Sequence, residues 1–270
     1  MSAVPIARLA DALLPDVIEA GRIQMSVFRT GATVVTKSDD TPVTEADQRS
    51  EARLIAGLKR VAPDIPVVAE ESSAAGRTPV IDTEFFLVDP LDGTREFIAG
   101  RPDFTINIAL IRSGRPVFGL IYAPAREELY FTREPGEALG ATMSLGNHAP
   151  TVSDLETRRL RARRPPADGL VVATSQSHMN AATERFLEPY STSSRIRMGS
   201  SLKFCLIARG DADIYPRIGR TSEWDTAAGQ AILEAAGGSV TRLDGTPLTY
   251  GHADRRFLNP DYVARGLPDA

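Results

Sequence analysis

The sequence predicts an α+β fold in which helices and sheets stack in layers. Three features predict it. Amphipathic helical stretches open the chain, a strand-rich meander follows, and the second half mixes strands with apolar helices. A length of 270 residues allows a large buried core, as one big domain or two coupled ones.

Each element has a local cause. ADALLPDVIEAGRIQ reads as a helix, with Leu13, Leu14, Val17, Ile18 and Ala20 or Gly21 on one broad apolar face. Thr44 opens a second helix. Thr44-Glu45-Ala46-Asp47 has the form of a capping box with Asp in the place of Glu or Gln, and Leu54, Ile55 and Leu58 supply the buried stripe. IPVVAE reads as a short buried strand that ends at Glu70 and Glu71. EFFLVDP is another, stopped by Pro90, which cannot continue a ladder. FTINIALIR, VFGLIYA and EELYFT follow as strands joined by Gly and Pro turns. ETRRLRARRPP then carries Arg158, Arg159, Arg161, Arg163 and Arg164 before Pro165 and Pro166. It reads as a solvated connector between an N-terminal half, 1–160, and a C-terminal half, 161–270. In the second half LVVATS is a strand, SLKFCLIARG a helix and ADIYPR a strand. WDTAAGQAILEAAGG is a helix closed by glycine, and SVTRL and PLTY come last.

Composition removes several function classes. Apolar residues at 42% and charged residues at 24% are ordinary for a soluble globular protein. A net charge of −4 speaks against a protein built to coat nucleic acid. No apolar run is long enough to span a bilayer, and no signal peptide is expected. The single cysteine, Cys205, excludes an internal disulfide and sits among apolar residues in SLKFCLIA. It reads as a core residue of a protein in a reducing compartment, so a cytoplasmic location is expected.

LDGT occurs twice, as Leu91–Thr94 and as Leu243–Thr246. The second copy lies between SVTRL and PLTY, where Asp-Gly signals a tight hairpin turn. The first copy is preceded by Asp89, giving DPLDGT at a strand end. Pro90 turns the chain, so Asp89, Asp92 and the Leu91 carbonyl converge, an oxygen cluster suited to hard divalent cations. Gly93 and Thr94 then open a helix whose free N–H groups suit phosphate. Read by itself, DPLDGT also fits an acidic loop with a helix cap. Glu70, Glu71, Asp225 and Asp47 are further acids near strand ends or helix starts, and each also fits as a favourable helix N-terminal charge.

Together, VTEADQRSE, VVAEES, DPLDGTREF and WDTAAGQAILEAAGG, in this order and at these separations, resemble the inositol monophosphatase superfamily of Mg²⁺-dependent, lithium-sensitive phosphatases. TREF, GSSLKFC and the closing FLNP are similar to its bacterial 3′(2′),5′-bisphosphate nucleotidases of the CysQ type. The resemblance implies a layered αβαβα sandwich of the inositol monophosphatase/fructose-1,6-bisphosphatase type. It implies removal of the 3′-phosphate of adenosine 3′,5′-bisphosphate, a by-product of sulfate assimilation, to give AMP. It implies two or more Mg²⁺ ions held by Glu70, Asp89, the Leu91 carbonyl, Asp92 and Asp225, with lithium as an inhibitor. Asp47, Glu70 and Thr94 would orient the attacking water, and the Gly93 and Thr94 amides would hold the phosphoryl oxygens. His178, Ser200, Lys203 and Arg217 would hold the nucleotide and its second phosphate, with Arg220 and Trp224 as further candidates. Lys203 also fits a solvated helix lysine. An inositol or sugar phosphatase of the same chemistry, and a catalytically silent phosphate-binding module, stay open at this point.

Overall fold

The structure is a computed structural model that describes residues 5–31, 33–36, 42–146, 150–177 and 179–268. Helix α1 (Ile6–Thr30) is longer than the expected stretch and buries Leu13, Leu14, Val17 and Ile18. Strands β1 (Val34–Thr36) and β2 (Pro42–Thr44) form a small antiparallel pair that leads into α2 (Glu45–Val61). The expected capping box is present. Thr44 Oγ1 accepts from the Ala46 amide at 3.2 Å, and Asp47 Oδ2 accepts from the Thr44 amide at 2.8 Å.

Next come β3 (Val67–Ala69) and α3 (Glu70–Ala74). Glu70 therefore starts a helix rather than ending a strand. The reason is Glu51 on α2, whose carboxylate accepts from the Glu71 amide and the Ser72 hydroxyl, both at 2.6 Å, and so caps the turn from outside it. β4 (Glu84–Asp92) runs past Pro90. Its ladder with β5 breaks after Asp89 and resumes at Asp92↔Thr105, so the proline is bypassed in a bulge. α4 (Thr94–Ile98), β5 (Thr105–Arg112), β6 (Arg115–Ala123), β7 (Glu128–Glu134), β8 (Glu137–Thr142) and β9 (Thr157–Arg159) follow. The second half supplies β10 (Leu170–Ser175), α5 (Ala181–Leu187), β11 (Thr192–Met198), α6 (Leu202–Ala208), β12 (Ile214–Arg217), α7 (Ala227–Ala235), β13 (Ser239–Arg242) and β14 (Tyr262–Arg265).

β3 to β9 form a seven-stranded sheet in sequence order, and β11-β10-β12-β14-β13 a five-stranded one. Period-two alternation in β4 explains the layering. Phe86 and Val88 face α1 and α2, with Leu13, Leu14 and Leu58. Phe85 and Leu87 face the opposite way, into a core with Phe204 of α6 and Ala228 and Ile232 of α7. That middle layer also covers Ala173 and Tyr215 of the five-stranded sheet. The sheet's outer face buries Val172, Ile214 and Val263 under Leu187 of α5. The order is thus helix, sheet, helix, sheet, helix, the expected αβαβα sandwich. No helix among the described residues is long and apolar enough to cross a membrane.

The arginine-rich segment is more than a solvated connector. Thr157–Arg159 adds the edge strand β9 to the seven-stranded sheet, and its exposed arginines charge that edge. Arg163 makes a two-pronged ion pair with Asp213, at 2.8 and 3.0 Å, and Asp213 Oδ2 also accepts from the Val171 amide at 2.7 Å. The Asp213 side chain is fully buried. Asp213→Ala therefore strands the partly buried Val171 amide as well as an arginine, a cost of about 1–3 kcal/mol. In a domain of this size Tm should fall by roughly 5 °C in calorimetry. An unchanged Tm would remove this pair from the supports of the fold.

Candidate active site

The site grows from the bulged end of β4. Asp89 is buried, and its Oδ1 accepts from the Leu91 amide at 3.0 Å. Gln24 of α1 donates to the Pro90 carbonyl at 2.6 Å and holds the bulge from behind. Gly93 sits at φ +91°, and a Cβ there would meet the Asp103 carbonyl at 2.8 Å, so both conformation and space require glycine. The chain then turns into α4. Thr94 Oγ1 donates to Asp47 Oδ1 at 3.2 Å and lies equally close to the Leu91 carbonyl. One Asp47 oxygen caps α2 while the other faces Thr94.

The opposite wall comes from the second half. Asp225 ends the 3-10 turn Glu223–Asp225, and its Oδ2 accepts from the Ser222 amide at 2.8 Å. Asn259, in FLNP, donates to the Ser222 carbonyl at 2.6 Å and to Thr226 Oγ1 at 3.0 Å, pinning the same turn. Ser200 at φ +49° turns the chain into α6.

Glu70, Asp89, Leu91, Asp92, Gly93, Thr94, Ser200, Lys203, Arg217 and Asp225 line one cleft of about 220 Å³. Arg220 lines it too, whereas Trp224 packs against Phe257, with ring centroids 6.0 Å apart. His178 lies outside the described residues. A larger groove of about 760 Å³ runs past Pro165, Tyr190, Arg265 and Leu267 at the other end of the five-stranded sheet. Among the described residues its one carboxylate is Asp213, which is already paired with Arg163, so they do not give it the chemistry of the smaller cleft.

The carboxylates perturb one another. Burial, then Glu70, Asp92 and Asp225, hold the Asp89 carboxyl well above the usual range. Burial, then Asp92 and Glu70, push Asp225 up to about 8. Asp92 is raised by burial and pulled back by the charge of Lys203. Such a cluster of hard oxygens binds a proton or a cation to offset its own repulsion, and it fits a divalent ion such as Mg²⁺. The cationic wall differs. Lys203 is only 5% exposed, so the solvated reading fails. Its Nζ donates to the Met198 carbonyl at 3.3 Å and to that of Ser200, above the Tyr215 ring. Arg217 donates to the Arg220 carbonyl at 2.8 Å, while its buried Nε has no partner among the described residues. Cys205 is buried, its thiol pushed up by desolvation, as a core cysteine should be.

The second LDGT is a turn. Gly245 has φ +84° and donates to the Arg242 carbonyl at 3.0 Å, while Asp244 accepts from the Thr246 amide at 2.9 Å. PLTY adds only one bridge, Thr241↔Pro247, rather than a full second arm.

Sequence reasoning missed Glu51, Asn107, Ser201 and Glu96. Glu51 sets the start of α3, and Glu96 lines the cleft and accepts from the Ser177 hydroxyl. Asn107 had a visible signal, as the polar interruption of FTINIALIR.

Known proteins resemble this chain. The Inositol monophosphatase family matches over residues 8–265. The 3′(2′),5′-bisphosphate nucleotidase CysQ of Shigella flexneri is 40% identical over 229 residues, covering 85% of this chain and 87% of that protein. The protein of the same name from Salmonella typhimurium is 41% identical over 226 residues, covering 84% and 86%. The crystal structure of CysQ from Bacteroides thetaiotaomicron superposes with a TM-score of 0.79 at 33% identity, covering 95% and 96%.

Proposed function

The chain belongs to the inositol monophosphatase family, and from that premise we propose that it hydrolyses the 3′-phosphate of adenosine 3′,5′-bisphosphate to give AMP and phosphate. Phosphatases of this family are metal-dependent, typically on Mg²⁺. The observation that carries the reading is one cleft lined both by carboxylates, those of Glu70, Asp89, Asp92, Glu96 and Asp225, and by the cations Arg95, Lys203, Arg217 and Arg220. A substrate with one reacting and one non-reacting phosphate matches both sets of charges.

Glu70, Asp89, the Leu91 carbonyl, Asp92 and Asp225 would hold two Mg²⁺ ions. When bound, the ions lower the pKa of water and offset charge on the leaving 3′-oxygen. The chain's own groups do the orienting. Thr94 donates to Asp47, which fixes its hydroxyl and leaves its oxygen to receive a hydrogen bond from the attacking water. Glu70, which lines the cleft, accepts the water's proton. The Gly93 and Thr94 amides hold the phosphoryl oxygens, and a proton taken from solvent water by the released 3′-oxygen completes AMP, while Glu70 returns its proton to solvent. Ser200, Lys203 and Arg217, with His178, bind the nucleotide side. Lithium is expected to inhibit.

The test is phosphate release from a panel of substrates with Mg²⁺ present. Adenosine 3′,5′-bisphosphate should be preferred, and inositol 1-phosphate should be poor. Binding energy from the remote phosphate orients the reacting one, so its loss lowers kcat as well as raising KM. A charge-assisted contact is worth about 1.5–3 kcal/mol, so Arg217→Ala should lower kcat/KM for the bisphosphate roughly ten- to a hundredfold. The same change should barely affect inositol 1-phosphate. Lys203→Ala should be less selective, because it also releases the Met198 and Ser200 carbonyls. A preference of the unsubstituted enzyme for inositol 1-phosphate would overturn the substrate assignment.

A further inference from the structure

We propose that Asn107 and Ser201 are positioning residues. Together they fix Asp92 of the first half against the Asp225 turn of the second and thereby set the site's affinity for Mg²⁺. The inference rests on the metal-dependent reading above.

Three buried groups, Thr105, Asn107 and Ser201, form a directed chain that ends on the partly buried Asp92. Thr105 Oγ1 donates to Asn107 Oδ1 at 2.9 Å. That bond fixes the amide, so its nitrogen faces the site. Asn107 Nδ2 donates to Ser201 Oγ at 2.8 Å and reaches Asp92 Oδ2 at 3.4 Å. Ser201 Oγ lies 2.8 Å from Asp92 Oδ2 and 2.7 Å from the Asp225 carbonyl. A serine hydroxyl has one proton and two lone pairs. Asn107 occupies a lone pair, so the single proton is divided between Asp92 and the Asp225 carbonyl. One hydroxyl thus links a carboxylate of the seven-stranded sheet to the turn that carries the late acid.

Both residues are diverted from ordinary structural work. Ser201 stands at the N-cap of α6, where a serine oxygen usually accepts a helix N–H, yet it makes no capping bond. Asn107 lies mid-strand on the face of β5 that otherwise carries Ala109 and Ile111 into the middle core. Burying an amide there is costly unless its polar atoms are satisfied, and the chain of bonds toward Asp92 satisfies them.

The test reads Mg²⁺ binding without turnover, as the rise in Tm of the full chain with added Mg²⁺. The unsubstituted protein should show a saturable rise; its absence would sink the metal reading itself. In Ser201→Ala the Mg²⁺ concentration at half effect should move up roughly ten- to a hundredfold, the usual cost of losing a group that orients a metal ligand. Asn107→Leu, similar in size, should give a smaller shift of the same sign. The double variant should be only slightly worse than Ser201→Ala and far short of the product of the two shifts, because Asn107 acts mainly through the serine and its own contact with Asp92 is long, at 3.4 Å. In turnover, both single variants should need more Mg²⁺ but recover most of kcat at saturation. If Ser201→Ala does not fold, the Asn107→Leu shift decides alone. An unchanged Mg²⁺ midpoint in a folded variant, or fully additive shifts, would overturn the relay.

Discussion

Asp89→Asn should lower turnover by at least roughly a thousandfold, because charge stabilisation worth about 4 kcal/mol is removed from the reaction's centre. Asn has the same shape and can still accept the Leu91 amide through its oxygen, so β4 and its bulge should persist. What is lost is the negative charge. Asp89 is also the acid most pressed by its neighbours, with Glu70, Asp92 and Asp225 all opposing its ionisation. Neutralising it relieves that repulsion, so metal-free Asp89→Asn should have a higher Tm than the unsubstituted protein. Lost activity with raised stability distinguishes a functional charge from a structural one. Asp244→Asn is the matched control from the other LDGT. Asn also suits a tight turn, and turnover should stay intact. Equal losses in both variants would refute the division of labour between the two copies.

Metal removal should have a comparable effect. Every proposed ligand is an oxygen, so exhaustive treatment with EDTA should abolish phosphate release and added Mg²⁺ should restore it. Ca²⁺ should inhibit rather than substitute. Its bonds to oxygen run about 2.3–2.6 Å against about 2.0–2.1 Å for Mg²⁺, and its geometry is looser, so water and phosphate would be misaligned. Full turnover after chelation would end the metal mechanism.

Local chemistry made much of this readable. The capping box at Thr44, the bend of DPLDGT and the Asp-Gly turn at 244–245 are each set by residues within a few positions, and all three are present. The layered class followed from helix and strand periodicity. What stayed hidden depends on distant partners. Glu51 lies about twenty residues from the turn it caps, and Ser201 meets Asp92 across more than a hundred. The burial of Lys203, expected as a site residue with a solvated helix lysine as the alternative, was hidden for a related reason. Every residue of α6 from Leu202 to Ala208 is buried, since the helix lies between two sheets, and helical periodicity cannot signal a helix covered on all sides. β9 and β11 escaped because their arginines and serines lack apolar alternation. β9 is an edge strand, and most of β11 is exposed.

The central helical layer has a bearing on how the protein is made. The seven-stranded sheet is complete by Arg159, yet one of its faces is covered by α6 and α7, which end only at Ala235. Synthesis proceeds from the N-terminus at about 5–20 residues per second, and α7 must also clear the ribosome's exit tunnel before it can dock. For some seconds the nascent chain therefore presents Phe85, Leu87, Ala109 and Ile111 to water as an uncovered apolar face. In that interval the newborn polypeptide should bind chaperones that recognise apolar surface, and a chain cut just after Arg159 should aggregate rather than form a stable half-enzyme.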